Sequence, residues 1–243
     1  MKVLLTNDDG IFSPSLIKFA EKLCAVCDLT VYAPCGECSG MSHSISLHKT
    51  IKIEKINRQY DSFCVYGTPV DCVKVALTQN PRYFDLVISG VNTGTNLATD
   101  VWYSGTVQAA FEGAIAGVPS LAVSTKKQAV NGLDTAIDFV LSNLAKLHEL
   151  AQKTAVLSIN VPDVKTDDLK GIVFAPLGRT IYNDSYGKKE ENIYEHISIL
   201  SPSCDNVEHC DIYAFKAERI VITPLSLDCT DYEALDGLGD VKL

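Results

Sequence analysis

Several familiar signatures are missing from this chain of 243 residues. The first predicted strand is followed by a single glycine, Gly10, where a dinucleotide-binding turn needs G-x-G-x-x-G. The loop from Gly90 to Gly105 holds no lysine, which excludes a Walker cradle of the form G-x-x-x-x-G-K-[ST]. The carboxylates at the first strand end, Asp8 and Asp9, are adjacent, so the D-x-D-x-[TV] arrangement of aspartyl-phosphate phosphatases is absent too. No apolar run approaches the ~18 residues of a membrane span, and no charged segment leads into an apolar stretch with a small-residue cleavage site. A cytoplasmic protein with no membrane partner is expected. Basic residues are in deficit, 21 Lys and Arg against 30 Asp and Glu, for a net charge of −9 and a pI near 5. Nucleic-acid polymers, which bind clustered cations, are therefore not expected as partners. A phosphorylated ligand should be small and held by metal and backbone N–H groups. Internal repeats, low-complexity tracts and flexible linkers are lacking as well.

Cysteine, by contrast, is plentiful. Nine are present, an odd number in a large chain without export features, and free buried thiols are the expectation. Cys24 with Cys27 and Cys35 with Cys38 form two CxxC pairs. They flank the predicted strand 29–33, which spans about 17 Å at ~3.3 Å per residue. Four sulfurs at ~2.3 Å from one zinc are out of reach across that distance.

A hydrophobic content of 47% suffices for one buried core, with or without an appendage. The first half alternates strand and helix patterns: strands at 2–6, 29–33, 84–89, 119–124 and 155–160, helices near 14–26, 69–79, 105–117 and 132–152. Such alternation predicts an α/β fold, a right-handed, doubly wound and mostly parallel sheet. Ile45, Leu47, Ile51 and Ile53 alternate with polar residues and predict paired antiparallel strands between 44 and 66. Beyond Val161 the helical period fades. Residues 162–218 are read as a β-rich appendage and 219–243 as a returning strand with a C-terminal tail, leaving 1–161 as a Rossmann-like catalytic core.

Four oxygen-rich, glycine-punctuated loops follow predicted strands. TNDDG (6–10) brings Asp8 and Asp9 to a strand end, where α/β sheets bind ligands and where paired carboxylates suit Mg²⁺, Mn²⁺ or Ca²⁺. Read alone, Asn7, Asp8 and Gly10 are equally a turn and a helix cap. Ser39–Gly40 reads as a turn, and Asn92 as a left-handed turn residue before Gly94. GTPVDC (67–72) reads as a helix start with Thr68 as N-cap and Pro69 at the first position. YSGT (103–106) opens another helix, whose N-terminus could hold an anion without lysine. Trp102 and Tyr103 either pack the loop or stack on a base, and packing is the simpler reading.

Taken in order and spacing, TNDDG, SG (39–40), GTPVDC, SGVNTGTN (89–96) and YSGT make the chain resemble the SurE (survival protein E) nucleotidases over about half its length. The resemblance implies a Rossmann-like three-layer sandwich with a β-rich appendage. It implies one divalent ion per subunit, Mg²⁺ or Mn²⁺, with Ca²⁺ as a crystal substitute, held by Asp8, Asp9, Ser39 and Asn92. Asn96, Ser104, Gly105 and Thr106 would contact phosphate, and His43 could be a general acid or a structural residue. The implied activity is hydrolysis of nucleoside 5′- or 3′-monophosphates, that of a 5′-nucleotidase or acid phosphatase, with Asp8 and Asp9 as catalytic groups and a metal-activated water favoured over aspartate as attacker. A non-catalytic phosphate-binding stress-response module is the alternative. A homodimer or homotetramer is implied, but the appendage departs from the family pattern, with PLGRT (176–180) and CDIYAFKA (210–217) replacing an LGRR-like stretch and a GTDxxA turn.

Overall fold

A computed structural model describes residues 1–200 and 209–238, without the side chains of 198–200. The expectations resting on Pro202, on the side chains of Ile199 and Leu200, and on the chain beyond residue 238 lie outside the described residues.

The apolar run of β1 (Lys2–Thr6) is buried over its last four residues, as a central strand covered on both faces must be. It is followed by α1 (Pro14–Leu23), which ends three residues before the sequence pattern suggested. Ser13 caps α1 by accepting from the Leu16 N–H at 3.4 Å, and Pro14 occupies the first turn. Strand β2 (Asp28–Pro34) pairs parallel with β1. Of the antiparallel strands expected between 44 and 66, β3 (Ile53–Lys55) and β4 (Asp61–Val65) form and pair with each other. Ile45 and Leu47 do not join them. Both are exposed in a loop that crosses the carboxyl edge of the sheet, so their alternation reflects that loop and not a buried strand face.

The elements that follow keep the predicted alternation: α2 (Pro69–Gln79), β5 (Leu86–Thr93), α3 (Gly105–Ile115), β6 (Ser120–Thr125), α4 (Gly132–Ala151) and β7 (Val156–Val161). A further strand, β8 (Ile172–Phe174), precedes a long hairpin of β9 (Tyr182–Glu190) and β10 (Ile193–Leu200). Then come α5 (Asp211–Lys216), β11 (Ile220–Leu225) and α6 (Tyr232–Leu238). Only part of the stretch 162–218 stands off the sheet: β8 pairs parallel with β11, and β11 antiparallel with β7, so both extend the core.

The main sheet runs β3-β4-β2-β1-β5-β6-β7-β11-β8. Helices α1 and α4 pack on one face, around Leu16, Phe19, Ile137 and Leu147. Helices α2 and α3 cover the other, with Cys72, Val73 and Ala109 against Leu4 and Val87. Strand order reverses between β1 and β5, and open α/β sheets bind their ligands outside the carboxyl ends at such a reversal.

The expectation of free thiols fails at one pair. Ala33 on β2 is in register with Cys64 on β4, and Cys35, two residues on, forms a disulfide with Cys64 across a Cα separation of 5.1 Å. Adjacent strands brought the two within bonding distance, a proximity that spacing in the chain does not reveal. The bond rivets the start of the loop after β2 to its neighbour. Cys35 is thereby removed from any zinc reading, and among the described residues no group of three or more His, Cys, Asp or Glu is arranged to hold a metal.

Strand β5 carries an irregularity between Ser89 and Asn92 that shifts its register against β6. Gly90 sits there at φ +132°, and a Cβ on it would overlap the Val123 carbonyl of β6. Bulges next to ligand sites re-aim side chains, and this one governs where Asn92 faces. Gly90→Ala should cost on the order of 3 kcal/mol through left-handed strain and overpacking. The check is denaturant unfolding, and a variant with an unchanged midpoint would mean the strand accommodates the methyl by shifting.

Candidate active site

Loops from β1, β2 and β5 converge at the reversal and enclose a cavity of about 710 Å³. Asp8, Asp9, Ser39, Asn92, Asn96 and Ser104 all line it. These residues are up to 96 positions apart in the chain and meet because every loop leaves a carboxyl strand end.

Asp8 is the most constrained of them. It is 4% exposed. Its Oδ1 accepts from the Thr106 hydroxyl at 2.6 Å and its Oδ2 from the Thr106 backbone N–H at 3.2 Å, so the carboxylate closes the positive end of α3. Gly105 makes that approach possible, since a Cβ there would sit 3.1 Å from the Asp8 Cβ and 3.2 Å from its Oδ2. Burial raises the Asp8 pKa and the Thr106 bonds oppose the rise.

Asp9 is held differently. Burial, and secondarily the charge of Asp8, push its carboxyl up to about 6, against contacts with the Thr93 backbone and Ser15. Its Oδ2 is buried with no hydrogen-bond partner among the described residues. An orphaned carboxylate oxygen beside a second buried carboxylate is costly without a compensating cation.

The neutral oxygens fit the same demand. Asn92 commits its amide NH₂ to the Gly94 carbonyl at 2.8 Å, which leaves its oxygen for a ligand. Ser39 donates its hydroxyl proton to Glu37 at 2.9 Å, which leaves the Oγ lone pairs. Two carboxylates, a hydroxyl and an amide oxygen are a hard donor set suited to Mg²⁺ or Mn²⁺.

Asn96 is gripped from behind. Its N–H donates to Asn160 Oδ1 at 2.9 Å, its carbonyl accepts from Asn160 Nδ2 at 3.1 Å, and its amide donates to Ser124 Oγ at 2.8 Å. Ser104 is the N-cap of α3, accepting from the Val107 N–H at 3.1 Å. Thr106 is fully buried and spends both donors on Asp8, so it stands behind the carboxylate, outside the lining. Gly105 is buried and absent from the lining, with its N–H at the start of α3, where no intrahelical partner exists. His43 does not line the cavity: its ring nitrogens face Gln108 and Glu112 of α3.

Other residues around the cavity carry no short motif. Glu37 adds a third acid whose charge raises both aspartates. Lys127, after β6, brings the cation that the lysine-free loop lacked. Its place after a fifth carboxyl strand end is the signal that could have found it. Tyr182, Asp184, Tyr186 and His196 reach in from the hairpin, and Tyr182 donates to Asp100 at 2.5 Å. Asp211, within CDIYAFKA, accepts from the Ala98 and Gly178 N–H groups at 2.6 and 2.7 Å and so ties the 97–103 segment to α5. Thr68 behaves as read: it caps α2 in a reciprocal pair with Asp71. Trp102 and Tyr103 are exposed, which corrects the packing reading; Tyr103 lines the cavity and Trp102 lines an apolar groove nearby.

Comparison with known proteins places the whole chain in one family. The profile of the family described as Survival protein SurE matches residues 3–184. The chain is 38% identical over 257 residues to a protein named 5′-nucleotidase SurE from Thermoanaerobacter sp. (strain X514), with all of both chains covered. It is 37% identical over 248 residues to one of the same name from Nitrosomonas europaea, covering 100% of this chain and 98% of the relative. The crystal structure of the SurE protein from Aquifex aeolicus superposes with a TM-score of 0.83 at 29% identity, covering 98% of each chain.

The raised carboxyls carry a definite sign. An acid whose folded pKa exceeds its unfolded value makes folding less favourable as pH rises, here between about 3.8 and about 6 for Asp9. A cation binding the ionised pair reverses that loss, while protons compete with it. Mn²⁺ should therefore raise the thermal midpoint of metal-free protein at pH 7.5, with the increment fading as pH falls through about 6. An increment that is the same at pH 5 would remove Asp9 from the cation site.

Proposed function

The chain belongs to the Survival protein SurE family, and from that premise we propose that it is a divalent-metal-dependent 5′-nucleotidase, hydrolysing nucleoside 5′- or 3′-monophosphates to nucleoside and phosphate. The observation that carries the reading is the orphaned Asp9 Oδ2 beside buried Asp8, in one cavity with Ser39, Asn92, Asn96 and Ser104. The name 5′-nucleotidase SurE of its full-length relatives supports the same chemistry.

In this proposal Asp8, Asp9, Ser39 and Asn92 hold one ion, Mg²⁺ or Mn²⁺. When bound, such an ion polarises a phosphoryl oxygen and lowers the pKa of a water. Asp8 is oriented by Thr106, whose bonds oppose the rise that burial gives its pKa. Asn96, rigid between Asn160 and Ser124, and Ser104 face the phosphate from the other wall. The Gly105 N–H, at the α3 terminus, takes up charge developing on the equatorial oxygens. Thr106, proposed on family grounds as a phosphate contact, would act on it through Asp8. Water attacks phosphorus, the ester P–O bond breaks, and the departing oxygen takes the proton that the water loses, to give the nucleoside hydroxyl.

Two further proposals rest on the same footing. Cytoplasmic residence is supported by six free cysteines among the described residues; among those residues no helix is long and apolar enough to cross a membrane. Assembly into a homodimer or homotetramer, with the catalytic core at 1–161 and the β-rich appendage 162–218 mediating contact, is supported by exposed apolar residues of its hairpin, Tyr186, Ile193, Tyr194 and Ile197. Tyr232, Leu235 and Leu238 of α6 are exposed too, and Pro224 and Asp228, just before that helix in the chain, line an apolar groove with Trp102, Phe111 and Phe174. Light scattering after size exclusion should give at least a dimeric mass, and a monomer at micromolar concentration with full activity would end the assembly proposal.

The test of the activity is inorganic phosphate release from a panel of nucleoside monophosphates with Mn²⁺ or Mg²⁺. Asp8→Asn and Asp9→Asn should each reduce turnover by about 100-fold or more, since several kcal/mol of charge stabilisation are lost at 1.36 kcal/mol per decade. Turnover that survives chelation, or nucleotide binding without phosphate release, would favour a binding module instead.

A further inference from the structure

Glu112 is buried, 5% exposed, where α3 meets Lys74 of α2. Its Oε1 accepts from Lys74 of α2 at 2.5 Å and its Oε2 faces His43 Nε2 at 3.0 Å. His43 Nδ1 lies 2.9 Å from Gln108 Oε1. The orientation of that amide is set independently, because Gln108 Nε2 donates to the Val101 carbonyl at 3.0 Å and so turns its oxygen to the ring. Both nitrogens of His43 thus face oxygens that can only accept, Glu112 being ionised by its Lys74 partner. Two donors on one imidazole require the doubly protonated ring.

His43 belongs to the loop that carries Ser39. Around it the loop is bonded at fixed points: Ser42 N–H to the Tyr103 carbonyl at 3.0 Å and Ser42 Oγ to the Trp102 carbonyl at 2.6 Å. On the other side the Ser44 carbonyl accepts from Thr68 Oγ1 at 2.6 Å and the Ser46 N–H donates to Asp71 Oδ1 at 3.0 Å, both on the α2 terminus. His43 is the link between this loop and α3, the helix whose N-terminus carries Asp8. We infer that His43 is a positioning residue, an imidazolium clamped between Gln108 and Glu112 that locks the Ser39 loop over the acidic centre and loosens it on losing its proton. The importance of the Ser39 loop rests on the nucleotidase reading; the clamp itself does not.

The charged groups facing the ring are Glu112 from α3 and Lys74 from α2; the 101–103 segment offers backbone carbonyls, and Asp71 is occupied by the loop backbone. The Glu112 bond raises the His43 pKa, with burial opposing and Gln108 adding. Burial would raise Glu112, but the bonds from His43 and Lys74 hold it below the ordinary range. A histidine raised in the folded state contributes stability that is full below its unfolded pKa and lost as pH rises through the folded one.

The experiment combines ring titration by NMR with thermal midpoints, neither of which needs nucleotide or metal. In the wild-type chain His43 should carry protons on both nitrogens at pH 6 and titrate above about 6.5, and Glu112→Gln should lower that midpoint. His43→Ala should lower the thermal midpoint at pH 6 by about 3 °C, a typical shift for a chain of this size, with the gap closing by pH 9. Calorimetry should then show Mn²⁺ affinity about tenfold weaker in His43→Ala at pH 6, as expected when a support of a ligand loop is lost. A neutral ring at pH 6, or a gap that persists at pH 9, would overturn the clamp. An intact clamp with unchanged Mn²⁺ affinity would overturn its positioning role. If the clamp titrates as described while no nucleotide is hydrolysed, the nucleotidase reading fails and the clamp stands.

Discussion

The carboxylate of Asp8 closing the N-terminus of α3 is the interaction on which the rest of the site depends. It joins the end of the central strand to the start of a helix from the opposite half of the sheet, through the Thr106 hydroxyl and N–H. A buried acid is normally a liability. Here the helix terminus and a threonine stabilise it, and Gly105 opens the space it occupies. Asp9 inherits the consequence. Forced beside an ionised neighbour and partly buried, with one oxygen unpartnered, it is left with a demand that a cation meets.

Around this centre the fold separates rigid supports from polar tips. Asn96 is fixed by Asn160 and Ser124 on two neighbouring strands, and Asn92 is re-aimed by the irregularity at Gly90. The loop after β2 has no strand partner of its own at this edge. It is secured by the Cys35–Cys64 bond at its start, by backbone bonds to Tyr103 and the α2 cap, and by His43 on α3. That is why so many of its polar residues, from Ser39 to Ser46, are committed to the protein while Ser39 keeps its lone pairs available. The hairpin β9–β10 adds a second wall from outside the sheet, with Tyr186 and His196 rings 5.3 Å apart at the mouth of the cavity.

Much of this was legible in the chain. Strand and helix periods gave the parallel layers, and Thr68 with Pro69 and Asp71 signalled a helix start that forms as read. Three of the four glycine-punctuated loops announced the cavity, because each follows a strand and leaves at the same carboxyl edge; the fourth, 67–72, caps α2. What escaped has physical reasons. The Cys35–Cys64 bond depends on which strands are neighbours, a property of the sheet order and not of spacing. Ile45 and Leu47 imitate a strand because alternation does not distinguish a sheet face from an exposed crossing loop. Glu37 and Lys127 sit in no motif, since a charge gains its role there from what lies opposite. Thr106 was read as meeting the phosphate directly, and only the fold reveals that its hydroxyl and N–H are both spent on Asp8.

The most direct test of the central claim is anomalous diffraction from crystals of the chain equilibrated with Mn²⁺. The account predicts a single strong peak per subunit between the Asp8 and Asp9 carboxylates, with Asn92 and Ser39 oxygens facing it and Asp8 still bonded to Thr106. A Mn²⁺ peak elsewhere, or an Asp9 carboxylate that stays unliganded in protein saturated with the ion, would contradict it.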